Sequence, residues 1–342
     1  MAGGTDWLRE LARWLPPGAM RPFGRPVALF FHGVASEVED PRIQLNQHDA
    51  QAFRGIAKAL KDNFQVLPLT ALDDALGHPE RHEHTVFLMS DDGYANTLTV
   101  AADILEELRL PWTLFASTHH IDTGAYNPMT LARIFLHYAS AGRYEIPNFP
   151  APIELADELQ RLILAGPSLA ALKALDAGRA DRAVTAMMAA FSDSERAGVL
   201  KRFSSERFLT WQDIAALAKR GVEIGAHAHT HWPMHSAQSE DYLIEQARVP
   251  REKIIAAVGS CRTFAYPFGN VDDISPGAWQ AVRDAGYDSA FTTLSGSLDA
   301  SVNRWLLPRY GLGPRDGHLD ALLPLLRAGN SRLARWQKRM AA

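Results

Sequence analysis

Three clusters in this chain have the residue types and spacing that hydrolytic chemistry needs. Asp91 and Asp92 are adjacent in Ser90-Asp91-Asp92-Gly93-Tyr94. Neighbouring side chains point in different directions, so one carboxylate can ligate a metal while the other takes a proton close by. Gly93 permits the tight exit turn. His227 and His231 stand four apart in Gly225-Ala226-His227-Ala228-His229-Thr230-His231-Trp232-Pro233. On a helical turn that spacing puts both imidazoles on one face, where neutral rings ligate zinc and its first-row neighbours. His229, two positions from each, is expected to point elsewhere. Arg262 opens Arg262-Thr263-Phe264-Ala265-Tyr266-Pro267-Phe268-Gly269. Pro-aromatic-Gly makes a rigid turn whose backbone N–H groups can face a pocket and stabilise an oxyanion, and Arg262 could orient Asp91 through a bidentate contact. Each cluster also has a plainer reading: Asp-Asp-Gly is ordinary turn chemistry, and Arg262 suits a surface salt bridge. A glycosidase is excluded, because adjacent aspartates cannot flank a sugar bond at the roughly 5 Å or more that reaction requires.

These groups need a scaffold, and the hydrophobic pattern supplies one. Val27–Phe31 is a short apolar run ending at His32-Gly33, which reads as a buried parallel strand. A helix follows over Asp49–Lys61, a strand over Phe64–Pro68, and a short helix over Thr70–Leu76. Thr85–Ser90 is a strand delivering the two aspartates; Ala95–Leu108 is a helix and Trp112–Ala116 a strand. Residues 125–205 are rich in Ala and Leu with helical periodicity and almost no strand signal. Glu154–Leu164, Leu169–Ala177 and Arg182–Phe191 read as helices separated by Gly166-Pro167 and Gly178, a helical insertion in a longer fold that could roof the pocket. Alternation resumes with a helix at Trp211–Arg220, a strand at Val222–Ala226, a helix near Asp241–Val258, a strand at Thr263–Tyr266, a helix at Pro276–Ala285 and a strand at Asp288–Thr292. Alternating strands and helices predict a parallel sheet, and the polar clusters all sit just after strands, at the carboxyl end where barrels gather their active sites.

With 342 residues, 47% hydrophobic and 22% charged, the chain is neither disordered nor dependent on staples for a core. A net charge of −4 leaves no electrostatic footprint for nucleic acid, and a single cysteine, Cys261, excludes a disulfide framework. No segment reaches the ~18–20 apolar residues that span a bilayer. Residues 1–26 read as an N-terminal extension. There Trp7, Leu8, Leu11, Trp14 and Leu15 fall at helical spacing until Pro16-Pro17-Gly18, without a signal-peptide pattern, so the expected compartment is the cytoplasm. Residues 316–342 form a basic amphipathic tail carrying Arg327, Arg332, Arg335, Lys338 and Arg339. A barrel cap and a solvated surface helix are the plain readings of the two ends; peripheral membrane contact is the alternative.

Taken in order, Asp-Asp-Gly-Tyr, His-x-x-x-His and Arg-x-Phe-x-x-Pro-Phe-Gly resemble the polysaccharide deacetylase family (NodB homology, carbohydrate esterase family 4). Leu29-Phe30-Phe31-His32-Gly33-Val34 resembles the opening segment of its circularly permuted branch, which includes the poly-N-acetylglucosamine deacetylases. The resemblance covers about 27–120 and 207–310. It implies an α/β fold, a distorted (β/α)7 barrel spanning 27–315, and a divalent metal, usually zinc. By motif position Asp92, His227 and His231 would bind the metal, and Asp91 would be the general base held by Arg262. The Phe268 N–H would help form the oxyanion hole, and His32 would be the general acid. Tyr94, Tyr266, Pro267 and Trp232 are the candidate substrate-binding residues. His318 is the only late histidine that could serve instead of His32. Ala228 stands where the family usually has Ser or Thr, and Trp232 intervenes before Pro233. The expected activity is removal of an N-acetyl group from an amino sugar in a glycan or glycan precursor. A deformylase or other C–N hydrolase, and a glycan-binding pseudoenzyme, are the alternatives.

Overall fold

A computed structural model describes residues 25–314, 336–337 and 340. Residues 1–24 of the N-terminal extension, His318 and most of the basic tail lie outside the described residues. The main sheet contains eight parallel strands: β1 (Val27–Phe31), β2 (Gln65–Val66), β3 (Thr85–Ser90), β4 (Thr113–Ala116), β5 (Glu223–Ala226), β6 (Thr263–Ala265), β7 (Ser289–Phe291) and β8 (Tyr310–Gly311). Their order is β7-β6-β5-β4-β3-β1-β8, with β2 also paired to β3. β1 and β3 are buried along their whole length, which is why they read as unbroken apolar runs rather than alternating ones. The segment leading into β8 draws the two ends of the sheet together. Leu307 bridges Phe291 of β7, while Tyr310 pairs with Leu29 of β1. The result is a distorted, incompletely hydrogen-bonded barrel.

Helices cover the outside. α1 (Ala50–Asn63) turns Phe53, Ile56, Ala57 and Leu60 inward, and Asp49 caps it by accepting the Gln51 and Ala52 N–H groups. At the other end of the chain, Trp336 is buried in the barrel core and the Gln337 amide donates to the Leu306 carbonyl at 2.9 Å. No helix among the described residues is long and apolar enough to cross a membrane.

The segment between β4 and β5 builds a second hydrophobic cluster of its own. It holds α2 (Pro128–Tyr138), α3 (Glu158–Lys173), α4 (Ala177–Met188) and α5 (Asp193–Arg202). Two expectations are corrected here. Gly166-Pro167 does not break a helix: α3 runs through Pro167, whose missing N–H faces the exposed side of the helix near Ile163, where water can satisfy the freed carbonyl. Gly178 lies in the first turn of α4, behind the Asp176 cap, instead of ending a helix. A small antiparallel hairpin, Gly142–Tyr144 with Ile153–Leu155, also went unread because three-residue strands carry too little alternation.

Candidate active site

Asp91, Asp92, His227, His231, His32 and Phe268 gather where the strands end. β3 hydrogen-bonds onward through the Asp91 N–H to the Phe31 carbonyl at 2.9 Å. The chain then reverses through Asp92 at φ 73° and Gly93 at φ 94°. β5 continues through the His227 N–H to the Ala116 carbonyl at 2.9 Å. The five residues from His227 to His231 do not form the helical turn expected from their spacing. Ala228 and His231 are left-handed, at φ 57° and 63°, and this irregular loop brings the two ring centroids to 5.0 Å. Among the described residues, four of the six non-glycine residues with positive φ are Asp92, Ala228, His231 and Phe268. Left-handed backbone is unfavourable for such residues, and strain of this kind concentrates at functional sites.

Asp92, His227 and His231 are buried, and each offers a ligand atom within 4.8 Å of the others. His231 Nε2 lies 2.7 Å and His227 Nε2 3.3 Å from Asp92 Oδ1. His227 donates its Nδ1–H to the Ala265 carbonyl at 2.8 Å, which leaves Nε2 as the free lone pair facing Asp92. Asn127 Nδ2 sits 3.2 Å from His231 Nδ1, and the same residue caps α2 of the insertion. Among the described residues, Asp92 Oδ2 is buried without a hydrogen-bond partner. A buried carboxylate oxygen left bare beside two convergent imidazoles fits a small divalent cation.

Asp91 is buried beside this cluster, but its partner is not Arg262. Arg309 Nη1 and Nη2 reach Asp91 Oδ1 and Oδ2 at 2.7 and 2.8 Å. The Arg309 side chain is 0% exposed and that of Asp91 2%. Arg309 Nε donates to the Thr292 carbonyl at 3.0 Å, and its guanidinium stacks 4.3 Å from the Phe30 ring centroid. Burial pushes the Asp91 carboxyl upward, but the Arg309 charge and His227 outweigh it and hold the pKa below the usual value. Arg262 instead precedes β6 and so lies at the opposite, amino end of the barrel. There its Nε pairs with Asp288 Oδ2 at 2.6 Å, with both side chains largely exposed. A strand separates it from Asp91, so the bidentate contact expected of Arg262 is made by Arg309. One signal pointed to Arg309: it is the only charge in Trp305-Leu306-Leu307-Pro308-Arg309-Tyr310. A lone charge in an apolar run bound for the core must find a partner there.

His32 follows β1 at the same end of the barrel. Burial lowers its pKa, against the opposing pull of the Asp92 and Asp91 charges. Phe268, at φ 59°, makes no hydrogen bond through its N–H among the described residues, and its ring meets His231 edge-on at 5.4 Å. Tyr94 is buried, with a hydroxyl that makes no hydrogen bond among the described residues; burial and then the Asp92 charge push its pKa well above the ordinary value. Pro267 is buried in the turn between Tyr266 and Phe268. Tyr266 and Trp232 are not placed to bind substrate. The Tyr266 side chain is in the barrel core and its hydroxyl donates to the Trp305 carbonyl at 3.0 Å. Trp232 is 1% exposed, packs in the insertion's cluster, and donates Nε1–H to Asp181 at 2.8 Å. In each case the ring is buried in a hydrophobic cluster and its polar tip finds a hydrogen-bond acceptor there. His229 turns away from the site, with Nδ1 2.8 Å from the Thr118 hydroxyl.

Comparison with known proteins bears on the family. No match was found among curated protein sequences. Among solved structures, the Streptococcus pyogenes deacetylase PplD in complex with acetate superimposes with a TM-score of 0.58 at 15% identity, covering 89% of this chain and 99% of that one. IcaB from Ammonifex degensii gives 0.54 at 13% identity (89% and 98% covered). A de-N-acetylase from Aggregatibacter actinomycetemcomitans gives 0.52 at 17% identity (86% and 97% covered). At these identities the likeness is one of fold, the barrel described above. The family model for polysaccharide deacetylases matches residues 78–290, which include both aspartates, both ligand-type histidines and Phe268 but neither His32 nor Arg309. On that match over more than half its length, together with the site at its strand ends, this chain belongs to the polysaccharide deacetylase family.

Proposed function

We propose that the protein is a metal-dependent N-deacetylase that removes an acetyl group from an amino sugar within a glycan or glycan precursor. The observation that carries this reading is the buried Asp92–His227–His231 donor set lying beside the Asp91–Arg309 pair. Asp92, His227 and His231 would hold the ion, with zinc the best match to one carboxylate and two imidazoles. An ion held there supplies Lewis acidity to a water and to an amide carbonyl.

The chain's own groups divide the remaining work. Asp91, kept anionic by Arg309, accepts a proton from the attacking water as its oxygen bonds to the acetyl carbon. Arg309 fixes both carboxylate oxygens in place, so the base does not rotate away. The Phe268 N–H is free to donate to the carbonyl oxygen as negative charge grows on it. Collapse of the tetrahedral intermediate breaks the C–N bond, and the nitrogen needs a proton to leave as the amine. His32 rests neutral, because burial disfavours its charge, and it gains basicity once that anionic intermediate forms beside it. The proton that Asp91 took from the water passes to His32 at that stage and goes on to the nitrogen, so both groups return to their starting states; the acetic acid that forms ionises to acetate.

Acetate release from N-acetylglucosamine oligomers, run in parallel with N-formyl analogues, tests the assignment. Release from the acetylated oligomers that disappears in Asp91→Asn, with bound metal retained, is the expected result. Turnover of the formyl compounds alone would overturn the acetyl assignment. Turnover of neither class by metal-loaded protein would overturn the catalytic one.

A further inference from the structure

The insertion touches the turn that carries Phe268 through one side chain. Lys173, the last residue of α3, places Nζ 2.7 Å from Asp273 Oδ1, and Asp273 is only 2% exposed. Asp273 Oδ2 in turn accepts the Asn270 N–H at 3.1 Å, so the carboxylate fastens the chain just past Gly269. The same ammonium lies 4.9 Å from the Phe268 ring centroid, on a ring whose other neighbour is His231. The Lys173 carbonyl is also held, by His235 Nε2 at 3.0 Å, from the loop that carries His227 and His231. On its barrel side the turn is gripped differently: Thr293 Oγ1 donates to the Phe268 carbonyl at 2.7 Å, and the Thr293 N–H donates to the Gly269 carbonyl at 2.9 Å. Phe268 is therefore clamped between β7 and the insertion while it sits at φ 59°. A left-handed phenylalanine persists only where its surroundings over-determine it.

We propose that Lys173 is a positioning residue, by which the insertion holds Phe268 so that its N–H points into the site. The proposal rests on the reading of that N–H as the oxyanion donor. Lys173 touches neither substrate nor metal; it acts through Asp273 and the aromatic ring. The contribution is to charge stabilisation in the transition state, so it belongs in kcat and not in KM or metal affinity.

The test compares Lys173→Met, which keeps the apolar stem, with Lys173→Arg and Asp273→Asn, in the full-length metal-loaded protein. Two readouts are needed. Hydrogen exchange of peptides spanning 266–273 reports on the clamp without reference to activity. In Lys173→Met it should run at least tenfold faster, with Thr263–Ala265 of β6 unchanged. Acetate release from N-acetylglucosamine oligomers should lose about tenfold in kcat, short of the roughly 10²–10³ that follows loss of a whole oxyanion donor. KM and one metal per chain should be unchanged, and Lys173→Arg should restore most of the rate. Lys173→Met combined with Asp273→Asn should be no slower than either alone. Unchanged exchange in Lys173→Met overturns the clamp. Faster exchange with unchanged kcat shows that the clamp exists but that the Phe268 N–H is not the oxyanion donor, which overturns the role of Lys173. If the wild-type protein releases no acetate, the proposed function fails, and the exchange result still decides whether Lys173 orders the turn.

Discussion

Arg309 and Arg262 make opposite predictions, because they differ in burial far more than in sequence context. Arg309→Met removes a guanidinium that is 0% exposed and leaves Asp91, 2% exposed, as a buried carboxylate without its two donors at 2.7 and 2.8 Å. Breaking one side of such a pair costs about 3–5 kcal/mol. At about 2.1 cal/mol/K of unfolding entropy per residue, a chain of 342 residues shifts by roughly 1.4 °C per kcal/mol, so the melting temperature should fall by about 4–7 °C. Arg262→Met removes a pair whose side chains are 58% and 45% exposed, which is worth under about 1 kcal/mol, so the melt should barely move. The sign of the pH effect also follows. Asp91 has a lowered folded pKa, so it is charged and stabilising above its unfolded value, and that contribution is lost as pH falls through the folded one. Without Arg309, burial dominates, the folded pKa rises, and the acid limb of kcat/KM moves to higher pH. Thermal melts and pH–rate profiles of the two variants, with Arg309→Lys as a charge-retaining control, measure all of this. A larger loss of rate or stability in Arg262→Met than in Arg309→Met would refute the assignment of the Asp91 partner.

Further predictions concern metal, acid stability and the insertion. Asp92→Asn, His227→Ala and His231→Ala should each lose divalent metal by elemental analysis while keeping wild-type circular dichroism; metal retained in all three would remove the site. Burial lowers the His48 pKa to about 4 from 6.5, so its neutral form stabilises the fold above pH 6.5 and that stability drains away as pH drops toward 4. Urea titrations should show about 2 kcal/mol less stability at pH 5 than at pH 7 from this group alone, and His48→Gln should flatten the pH dependence. His120, lowered to about 3, extends the same loss to lower pH. Trp232→Ala should cost about 3–5 kcal/mol as a cavity in the insertion's cluster and speed proteolysis within 128–202; a stable, protease-resistant variant would contradict its packing role.

The ligand-type residues were legible in the sequence because their signals are local. Asp91-Asp92-Gly93 follows a buried strand, and His227 and His231 lie within one loop, so spacing alone groups them. The alternation of strands and helices was legible for the same reason, down to the end of β7. What escaped depends on chain closure. Arg309 meets Asp91 across 218 residues, through a strand of two residues that has no periodicity to read. Arg262 looked right because it opens the strand that leads to Phe268, yet its side chain lies beside Glu223 and Ser289, the first residues of β5 and β7, and pairs with Asp288 at the end of the barrel away from the chemistry. Tyr266 and Trp232 misled because an aromatic beside a catalytic motif reads alike whether it faces a pocket or a core. Only the second hydrophobic cluster, which no local pattern announces, decides the case of Trp232.

The central claim, that Asp92, His227 and His231 hold an ion on which acetyl release depends, is tested most directly by a titration. Chelator-stripped protein is reloaded with zinc while acetate release from N-acetylglucosamine oligomers is followed. Activity that rises from zero and saturates at one ion per chain is the predicted result. Acetate release that is undiminished in the stripped protein, or a saturated site that releases none, would contradict it.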